Sequence, residues 1–495
     1  SSKVSVVKIA AIGASAKIGQ ESVLKNLLDV LKKSSDDEVK AVKTALLSLK
    51  GDNVVNQVAT ALPTQPANAQ VALLEFLAAR AADSKIDVVL GQLKNNDPSV
   101  KNAAFSALKR VSMPKDLPTL YELLGSISAP TELLATQEAI TAALKGTGNA
   151  SQQTQLLLGQ INNVSAEKKP AYLRVLANIG TRKALQFVSS SFANGSSSTQ
   201  QASLAALANW SDVSAIPELH NIGKSTTDAS FTEQAVAGII RAVAASKQNP
   251  TQRALSLREA LSIAKTSAQK ENVLKELVRN RTFNALLLAG PYLDDAALQQ
   301  TAAQVVINAA LSNKDFNGAT VRTYLSKALN FASSDAQKEV VRKQLAELPA
   351  GDGFVSLFNG KDLTGWKGLV ANPIARAKMH PDTLAAKQLK ADENMRKGWV
   401  VKDGDLVFTG HGDNLCTVKK YRDFEMFVDW KIEPKGDAGI YLRGSPQVQV
   451  WDTSRVEVGA QVGSGGLYNN QKNPSKPLKV ADNAIGDWNT FRIIM

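Results

Sequence analysis

The chain has few of the residues that form disulfides and metal centres. It contains one cysteine, Cys416, and three histidines among 495 residues. A single cysteine excludes an intramolecular disulfide and a cysteine-rich metal site. No apolar stretch reaches the length of about 20 residues that a membrane-spanning helix needs, so the sequence predicts no membrane span.

Tryptophan is also scarce in the first two thirds of the chain. Of six tryptophans, only Trp210 precedes residue 350, where alanine, leucine, serine and amide residues dominate. A chain of this length is expected to divide into two or more domains. Pro349, followed by two nearby glycines, ends the last helical pattern. We therefore predict two domains, 1–350 and 351–495.

The net charge of +13 does not come from one dense basic segment. No run of lysine and arginine is interleaved with aromatic residues, a pattern that would indicate nucleic-acid binding. We therefore expect a solvated basic surface and no nucleic-acid partner.

Helix pairs recur over residues 1–345. In the clearest copy, Asp97 suits a helix N-cap and Pro98 the first helical position, and a second helix follows over 117–124. Weaker copies follow at intervals of about 30 to 40 residues, the spacing of stacked helix pairs. The pattern resembles HEAT-type repeats. The resemblance implies an α-solenoid that serves as a scaffold or as a docking surface for protein partners.

From Gly353 onwards the pattern changes to short strands separated by tight turns. A strand is predicted over 354–358, and the Asn-Gly pair at 359–360 predicts the turn after it. A polar, helix-prone insertion covers 372–396, and strands resume at Trp399. Short strands at this spacing predict an all-β sandwich.

Alternation of side chains divides the later strands into two faces. Over 424–432 the even-numbered residues are apolar and are expected to face the core, as are Val448 and Val450. If these strands are neighbours in one sheet, their opposite faces form a single concave patch. Its members would be Glu425, Asp429, Tyr441, Arg443, Gln447, Gln449 and Trp451.

This set of side chains suits a carbohydrate. Aromatic rings stack on the apolar faces of pyranoses, and amides, carboxylates and arginine bond hydroxyl pairs. Tyr468, between glycines and asparagines, is a candidate lid residue over the patch. The alternative is an ordinary solvent-exposed sheet face with cross-strand pairs such as Glu425 with Arg443.

Seven ordered motifs fill the last third of the chain. They are SLFNGKDLTGW at 356–366, the strand and turn at 399–404, GDNLCT at 412–417, YRDFEMFVDWKI at 421–432, GDAGIYLRG at 436–444, PQVQVWD at 446–452 and GGLYNNQ at 465–471. Together they resemble the 3-keto-disaccharide hydrolase family. The resemblance implies a concanavalin-like jelly roll, related to laminarinase-type glycoside hydrolases, that acts on a carbohydrate.

The resemblance carries two further expectations. Family members continue for one or more strands beyond the segment at 486–493, so we expect a truncated domain with an unpaired sheet edge. The carbohydrate-degrading context of the family implies a periplasmic or secreted protein of the bacterial envelope.

Standard glycoside hydrolysis needs two carboxylates across the scissile bond, whereas 447–452 carries amides where laminarinase-type relatives carry glutamates. A 3-keto sugar allows another route, because the ketone acidifies the proton on C2 and a base can remove it. The C1 substituent then leaves and water adds. Glu425 is the candidate base, with Asp429 and His411 as rivals, and Arg443 is the candidate enolate stabiliser.

A divalent metal is possible but not indicated by ligand spacing. His411, Asp413, Glu425 and Asp452 are the available ligands, and their spacing is not diagnostic. Cys416 is expected to be a buried small apolar residue rather than a nucleophile.

Three functions remain open at this point. The first is a hydrolase that cleaves 3-keto-disaccharides or 3-keto-glycosides and is tethered to a helical scaffold. The second is a non-catalytic carbohydrate-binding module. The third is a protein-docking scaffold that carries a degenerate β-domain.

Overall fold

The computed structural model describes residues 5–18, 23–468, 470 and 472–495. The chain divides into two compact units, Ser1–Ser246 and Lys247–Met495. Within the described residues, no helix is both long enough and apolar enough to cross a bilayer.

The first unit is built from helix pairs. Its helices are α1 Ser5–Ile18, α2 Leu24–Leu31, α3 Asp36–Ser48, α4 Asp52–Ala61, α5 Ala67–Ala79, α6 Ile86–Gln92, α7 Pro98–Val111, α8 Leu117–Leu124, α9 Pro130–Lys145, α10 Ala150–Asn162, α11 Pro170–Ile179, α12 Arg182–Asn194, α13 Ser197–Ala208, α14 Ile216–Ser225 and α15 Ala229–Ala245. Each odd-numbered helix contacts the next odd-numbered one, and each even-numbered helix packs on the odd-numbered helix that follows it. We call the odd-numbered helices of this unit the odd row.

The local sequence explains where these helices begin. The Asp97 carboxylate accepts hydrogen bonds from the backbone N–H groups of Ser99 and Val100, at 2.8 and 3.3 Å, and Pro98 occupies the first turn of α7. These contacts satisfy N–H groups that have no partner inside the helix. The predicted cap and the predicted helix pair α7–α8 are confirmed.

Contacts between neighbouring repeats follow the predicted period. Lys43 and Glu75, which form an ion pair, are 32 residues apart. The Arg241 guanidinium donates to the carbonyl of Ala208, 33 residues earlier, at 2.7 Å. Helices α13 and α15 approach so closely that a Cβ added at Gly238 would lie 2.8 Å from the Ala208 Cα. Gly238 and Ala208 therefore allow α13 and α15 to pack closely.

The second unit combines further helices with the β-rich domain. Its elements are α16 Pro250–Ile263, α17 Ser267–Leu277, α18 Phe283–Ala289, α19 Gln299–Ala310, α20 Ala319–Ala328, α21 Asp335–Glu347, β1 Trp366–Gly368, α22 Pro373–Ala377, α23 Pro381–Gly398, β2 Trp399–Lys402, β3 Asp405–Phe408, β4 Leu415–Thr417, β5 Glu425–Trp430, β6 Asp437–Tyr441, β7 Gln447–Trp451 and β8 Asn489–Ile494. The predicted class, an array of helix pairs followed by a β-rich domain, is confirmed.

The strands pair two by two, always antiparallel. In the described residues the pairs are β1 with β4, β2 with β3, β5 with β8, and β6 with β7. Leu442, Val448 and Ile493 are buried in one cluster, and the apolar partners packed against it include Met426 and Val428. The core face predicted from the alternation of side chains in β5 and β7 is confirmed.

The opposite face of β5 packs on helices of the same unit. The Phe427 ring lies 5.4 Å from that of Phe283 on α18, nearly parallel to it, and also contacts the rings of Phe316 and Phe354. Phe283 and Phe316 are buried. We call these four rings the phenylalanine cluster. It joins helical residues to the β-rich domain.

The strand predicted over 354–358 does not form. Gly353 makes only an isolated bridge to Gly318, and the Phe354 N–H donates to the carbonyl of Asn317 at 3.2 Å. The loop between α19 and α20 takes the hydrogen bond that a neighbouring strand would have taken, and the Phe354 ring enters the phenylalanine cluster.

Candidate functional site

One face of the β6–β7 pair brings together amides, an aromatic ring and a carboxylate. On β6, Asp437 and Tyr441 project to the same side because side chains alternate along a strand. The register places Asp437 opposite Trp451 and Tyr441 opposite Gln447. Gln449 lies between these two positions on β7. We call this arrangement the amide face.

The polar side chains of the amide face are joined in a chain of hydrogen bonds. Gln447 Nε2 donates to Gln449 Oε1 at 2.9 Å, and Gln449 Nε2 donates to Asp437 Oδ1 at 2.7 Å. Arg455 Nη1 approaches the other oxygen, Asp437 Oδ2, at 3.1 Å. The chain fixes the carboxylate and both amides in one orientation.

Gly439 makes room for this chain. It lies opposite Gln449 in the register, and a Cβ added to it would overlap the side-chain amide of Gln447. Because Gly439 has no side chain, Gln447 can lie across β6 and reach Gln449.

The loop over 463–468 is bonded along β7. Gly465 N–H donates to the Gln449 carbonyl at 2.8 Å, and Tyr468 N–H donates to the Gln447 carbonyl at 2.9 Å. The Trp451 indole donates to the Gly463 carbonyl at 2.9 Å. The loop therefore lies alongside β7 and extends the β6–β7 pair by one more hydrogen-bonded segment.

This loop changes the exposure predicted for β7. Gln449 is 2% exposed and Trp451 is 9% exposed, although both were predicted to face outward on an open sheet. Tyr441 and Tyr468 are 54% and 55% exposed, and the Tyr468 ring meets that of Trp451 edge-on. The tyrosines, rather than the tryptophan, present aromatic rings to solvent. Residues 469 and 471 of the predicted lid motif lie outside the described residues.

Glu425 and Asp429 are not on the amide face. Both belong to β5, which pairs with β8, so the expected single patch is divided between two strand pairs. The Glu425 carboxylate accepts from Arg492 Nε at 2.5 Å, and this contact raises the pKa of Arg492. The Asp429 carboxylate accepts from Arg258 Nη1 at 2.8 Å and from Thr490 Oγ1 at 2.5 Å. Both carboxylates are therefore held by partners on β8 or α16.

Arg443 lies in the turn just beyond β6. Its backbone adopts a φ of 51°, in the left-handed region, and its side chain is exposed. It lies beyond the end of β6 that is opposite to Asp437.

The candidate metal ligands make different contacts and do not converge on one point. His411 is exposed in a loop whose backbone packs on Gly398, and Asp413 accepts from Asn394 Nδ2 at 3.1 Å. Asp452 is 3% exposed, and its carboxylate accepts from the backbone N–H groups of Lys435 and Ser454, which lower its pKa. Across the described residues, no three His, Cys, Asp or Glu side chains meet in a metal-binding group.

Cys416 lies in β4 and is half-buried. Burial raises the pKa of its thiol, which keeps the sulfur in its less nucleophilic protonated form.

Asp437 and Arg455 are the site residues that the sequence did not reveal. The predicted patch does not include Asp437, although alternation along β6 places it on the same face as Tyr441. Arg455 gives no comparable signal, because it reaches the carboxylate from a turn after β7.

Comparison with known proteins supports the resemblance found in the motifs. Residues 353–495 match the family described as 3-keto-alpha-glucoside-1,2-lyase-like domain. A curated 3-keto-disaccharide hydrolase from Bacteroides thetaiotaomicron is 25% identical over 126 residues, which cover 23% of this chain and 33% of that protein. The match thus spans a third of the length of that relative.

The helical part is similar to proteins of other kinds. The crystal structure of Kap121p is 12% identical, with a TM-score of 0.41, over 65% of this chain and 41% of that one. An engineered protein is 14% identical, with a TM-score of 0.30, over 70% of this chain and 96% of that one. TM-scores this low do not establish a shared fold.

Proposed function

We propose that the C-terminal domain cleaves 3-keto-disaccharides or 3-keto-glycosides at the amide face. The observation that carries the proposal is the bonded chain from Gln447 through Gln449 to Asp437, which lies beside the exposed ring of Tyr441. The half-buried Gln447 amide and the Asp437 carboxylate can bond sugar hydroxyls, and the tyrosine ring covers the apolar face of the sugar. The buried Gln449 holds the two polar groups in place. The family match over 353–495 supports a keto sugar as the substrate.

Asp437 is the base that this geometry favours. Its side chain is 50% exposed, so a bound sugar can approach the carboxylate, and Gln449 and Arg455 hold it in place. Glu425 and Asp429 lie on another strand pair, and their side chains are only 21% and 22% exposed.

The reaction proceeds by proton abstraction next to the ketone. Asp437 removes the proton from C2, and the electron pair of that C–H bond passes into an enolate stabilised by the C3 carbonyl oxygen. As the enolate collapses, the C1–O bond breaks, the pair leaves on the aglycone oxygen, and that oxygen takes a proton from water. The hydroxide left from that water then adds to C1, protonated Asp437 returns its proton to C2, and the free 3-keto sugar is released. Asp437 and Tyr441, at the two ends of β6, are about 13 Å apart, so Arg443, which lies beyond Tyr441, is too far away to stabilise an enolate formed at Asp437. The Arg455 guanidinium, 3.1 Å from Asp437 Oδ2, is the cation near enough to stabilise the enolate oxygen.

The test measures product release from 3-keto-trehalose and from trehalose. We expect turnover of the keto sugar only, because the unmodified sugar lacks the acidified C2 proton. Asp437→Asn should lower kcat by about 10²- to 10⁴-fold, the range for loss of a general base. Glu425→Gln is the matched control, since it also replaces a carboxylate by its amide, but at a position outside the amide face.

Two results would contradict this assignment. Turnover by Asp437→Asn at the wild-type rate would remove Asp437 as the base, and loss of turnover in Glu425→Gln alone would restore Glu425. A primary isotope effect on cleavage of substrate deuterated at C2 should accompany wild-type turnover, because that C–H bond breaks in the reaction.

Carbohydrate binding without cleavage is the second candidate. It is favoured by the contacts on both oxygens of Asp437, from Gln449 and Arg455, which compete with proton abstraction. In that case wild type and Asp437→Asn bind 3-keto-trehalose with similar affinity in calorimetry, and neither releases product. Gly439→Ala, which displaces Gln447, should weaken binding under either function.

We also propose that the protein acts in the periplasm or outside a bacterial cell. The carbohydrate-degrading context of the matched family supports this location, and the single cysteine does not contradict it. Fractionation of the native host, with the protein followed by antibody, tests the proposal, and recovery in the cytoplasm alone would contradict it.

A further inference from the structure

A cavity of about 330 Å³ opens on the odd row, between the C-terminal halves of α7, α9 and α11. The side chains that line it are mostly cationic or neutral hydrogen-bonding groups. They include Lys109, Arg110, Glu138, Thr141, Lys145 and Asn178.

The cavity carries an excess of positive charge. Its carboxylate, Glu138, is neutralised by Lys109 at 2.9 Å. Among the described residues, neither Arg110 nor Lys145 lies in an ion pair. Two cations of the cavity are therefore available to an anionic ligand.

The positive charge continues along the odd row. Arg174 precedes Asn178 by four residues on α11, so both side chains lie on one face of that helix, and Arg174 Nε is buried without a hydrogen-bond partner. On α15, burial and the nearby charge of Arg174 lower the pKa of Arg241, whose guanidinium also donates to the carbonyls of Ala208 and Trp210. We call Arg110, Lys145, Arg174 and Arg241 the cation row.

We propose that the cation row binds an acidic polypeptide segment in an extended conformation. Neighbouring helices pack about 10 Å apart, so the row spans about 40 Å from α7 to α15. An extended segment of about 12 residues covers that distance. The Asn178 amide donates to Thr141 Oγ1 at 3.2 Å, and its second N–H and its oxygen can bond the backbone of such a segment.

The aromatic residues of this surface favour a peptide over a nucleic acid. Phe105 on α7 and Tyr172 on α11 are buried in the helix packing. Among the described residues of α7, α9 and α11, no exposed ring lies beside the cations for single-stranded bases to stack on.

The experiment measures binding of a fluorescent peptide of about 12 residues, alternating glutamate and serine, to the full chain by anisotropy. Arg110→Glu/Lys145→Glu should weaken binding at least tenfold, because it turns two attractive contacts into repulsive ones. Arg182→Glu/Lys183→Glu is the matched control. It makes the same change in net charge at exposed positions of α12, outside the odd row. Wild-type affinity should also fall as salt is added.

Circular dichroism melting of both variants verifies that they are folded. The proposal is supported if only the Arg110/Lys145 variant loses affinity. It is overturned if both variants lose affinity equally, since net charge alone would then explain binding, or if neither does. It is also overturned if a polyuronate or an oligonucleotide of equal charge binds more tightly than the peptide and loses this affinity in the same variant.

Discussion

The ion pair between Arg258 and Asp429 should stabilise the contact between α16 and β5. Loss of one partner from a fully buried pair costs about 3–5 kcal/mol, and an exposed pair contributes about 0–1 kcal/mol. Here the side chains are 29% and 22% exposed, and Thr490 also donates to the Asp429 carboxylate. We therefore expect Asp429→Asn to lower the free energy of unfolding by about 2 kcal/mol.

Urea unfolding followed by tryptophan fluorescence measures this effect. Only Trp210 lies in the first unit, so the signal reports mainly on the second unit. A double-mutant cycle with Arg258→Met and Asp429→Asn should give a coupling energy of about 1–2 kcal/mol. Methionine keeps an apolar stem near the ring of Trp488, over which the Arg258 guanidinium lies at 4.5 Å.

The pair Lys327–Asp294 provides the matched control. It lies in the same unit with a separation of 2.6 Å, but its side chains are 42% and 68% exposed, so its coupling should stay below about 0.5 kcal/mol. Equal couplings for the two pairs would refute the stabilising role of the Arg258 contact. If Asp429→Asn were as stable as wild type yet inactive on 3-keto-trehalose, Asp429 would instead be the base.

Three other changes test the packing and the electrostatics. Phe427→Ala should lower the free energy of unfolding by about 2–4 kcal/mol, because it removes a ring from the phenylalanine cluster. Phe408→Ala, at a side chain that is 48% exposed, should cost under about 1 kcal/mol by the same urea assay. Burial, with the charge of Glu259, raises the pKa of Asp487. The charged Asp487 carboxylate therefore destabilises the folded state at a pH above the raised pKa. This destabilisation disappears at a pH below the ordinary aspartate pKa of about 4. Asp487→Asn should accordingly raise Tm at neutral pH and leave it unchanged at a pH below 4, and a Tm that falls at neutral pH would contradict the sign. Gly238→Ala should destabilise the odd row by about 1–3 kcal/mol in urea followed by circular dichroism. Gly159→Ala, where an added Cβ meets nothing within 4 Å, should stabilise α10 by about 0.5–1 kcal/mol, and equal effects at the two glycines would contradict the close approach at Gly238.

Local signals predicted the helices and the core face well. The cap at Asp97 depends on contacts within three residues, and the alternation that buries Met426 and Val428 depends on their own strand. Both are decided by short-range geometry and apolar burial, which can be read from a single segment.

Strand neighbours could not be predicted in the same way. β5 pairs with β8, and Asp429 is bonded to Thr490, 61 residues later, and to Arg258, 171 residues earlier. Alternation assigns a side chain to a face but does not say what covers that face. For this reason Glu425 and Asp429 were grouped with Gln449, although they lie on a different strand pair.

The burial of Gln449 was not predicted for the same reason. The alternation correctly placed Gln449 and Trp451 on one face, but the loop over 463–468 covers them through backbone hydrogen bonds. Backbone contacts of this kind leave no pattern in the side chains.

The phenylalanine cluster determines how this chain can be cut into fragments. A protein expressed from residue 351 would leave the rings of Phe354 and Phe427 in water and Asp429 without Arg258. Such a fragment should be prone to aggregate, whereas one that begins at Lys247 keeps these partners. A protease that nicks the chain near residue 350 should likewise yield two pieces that stay together until a denaturant separates them.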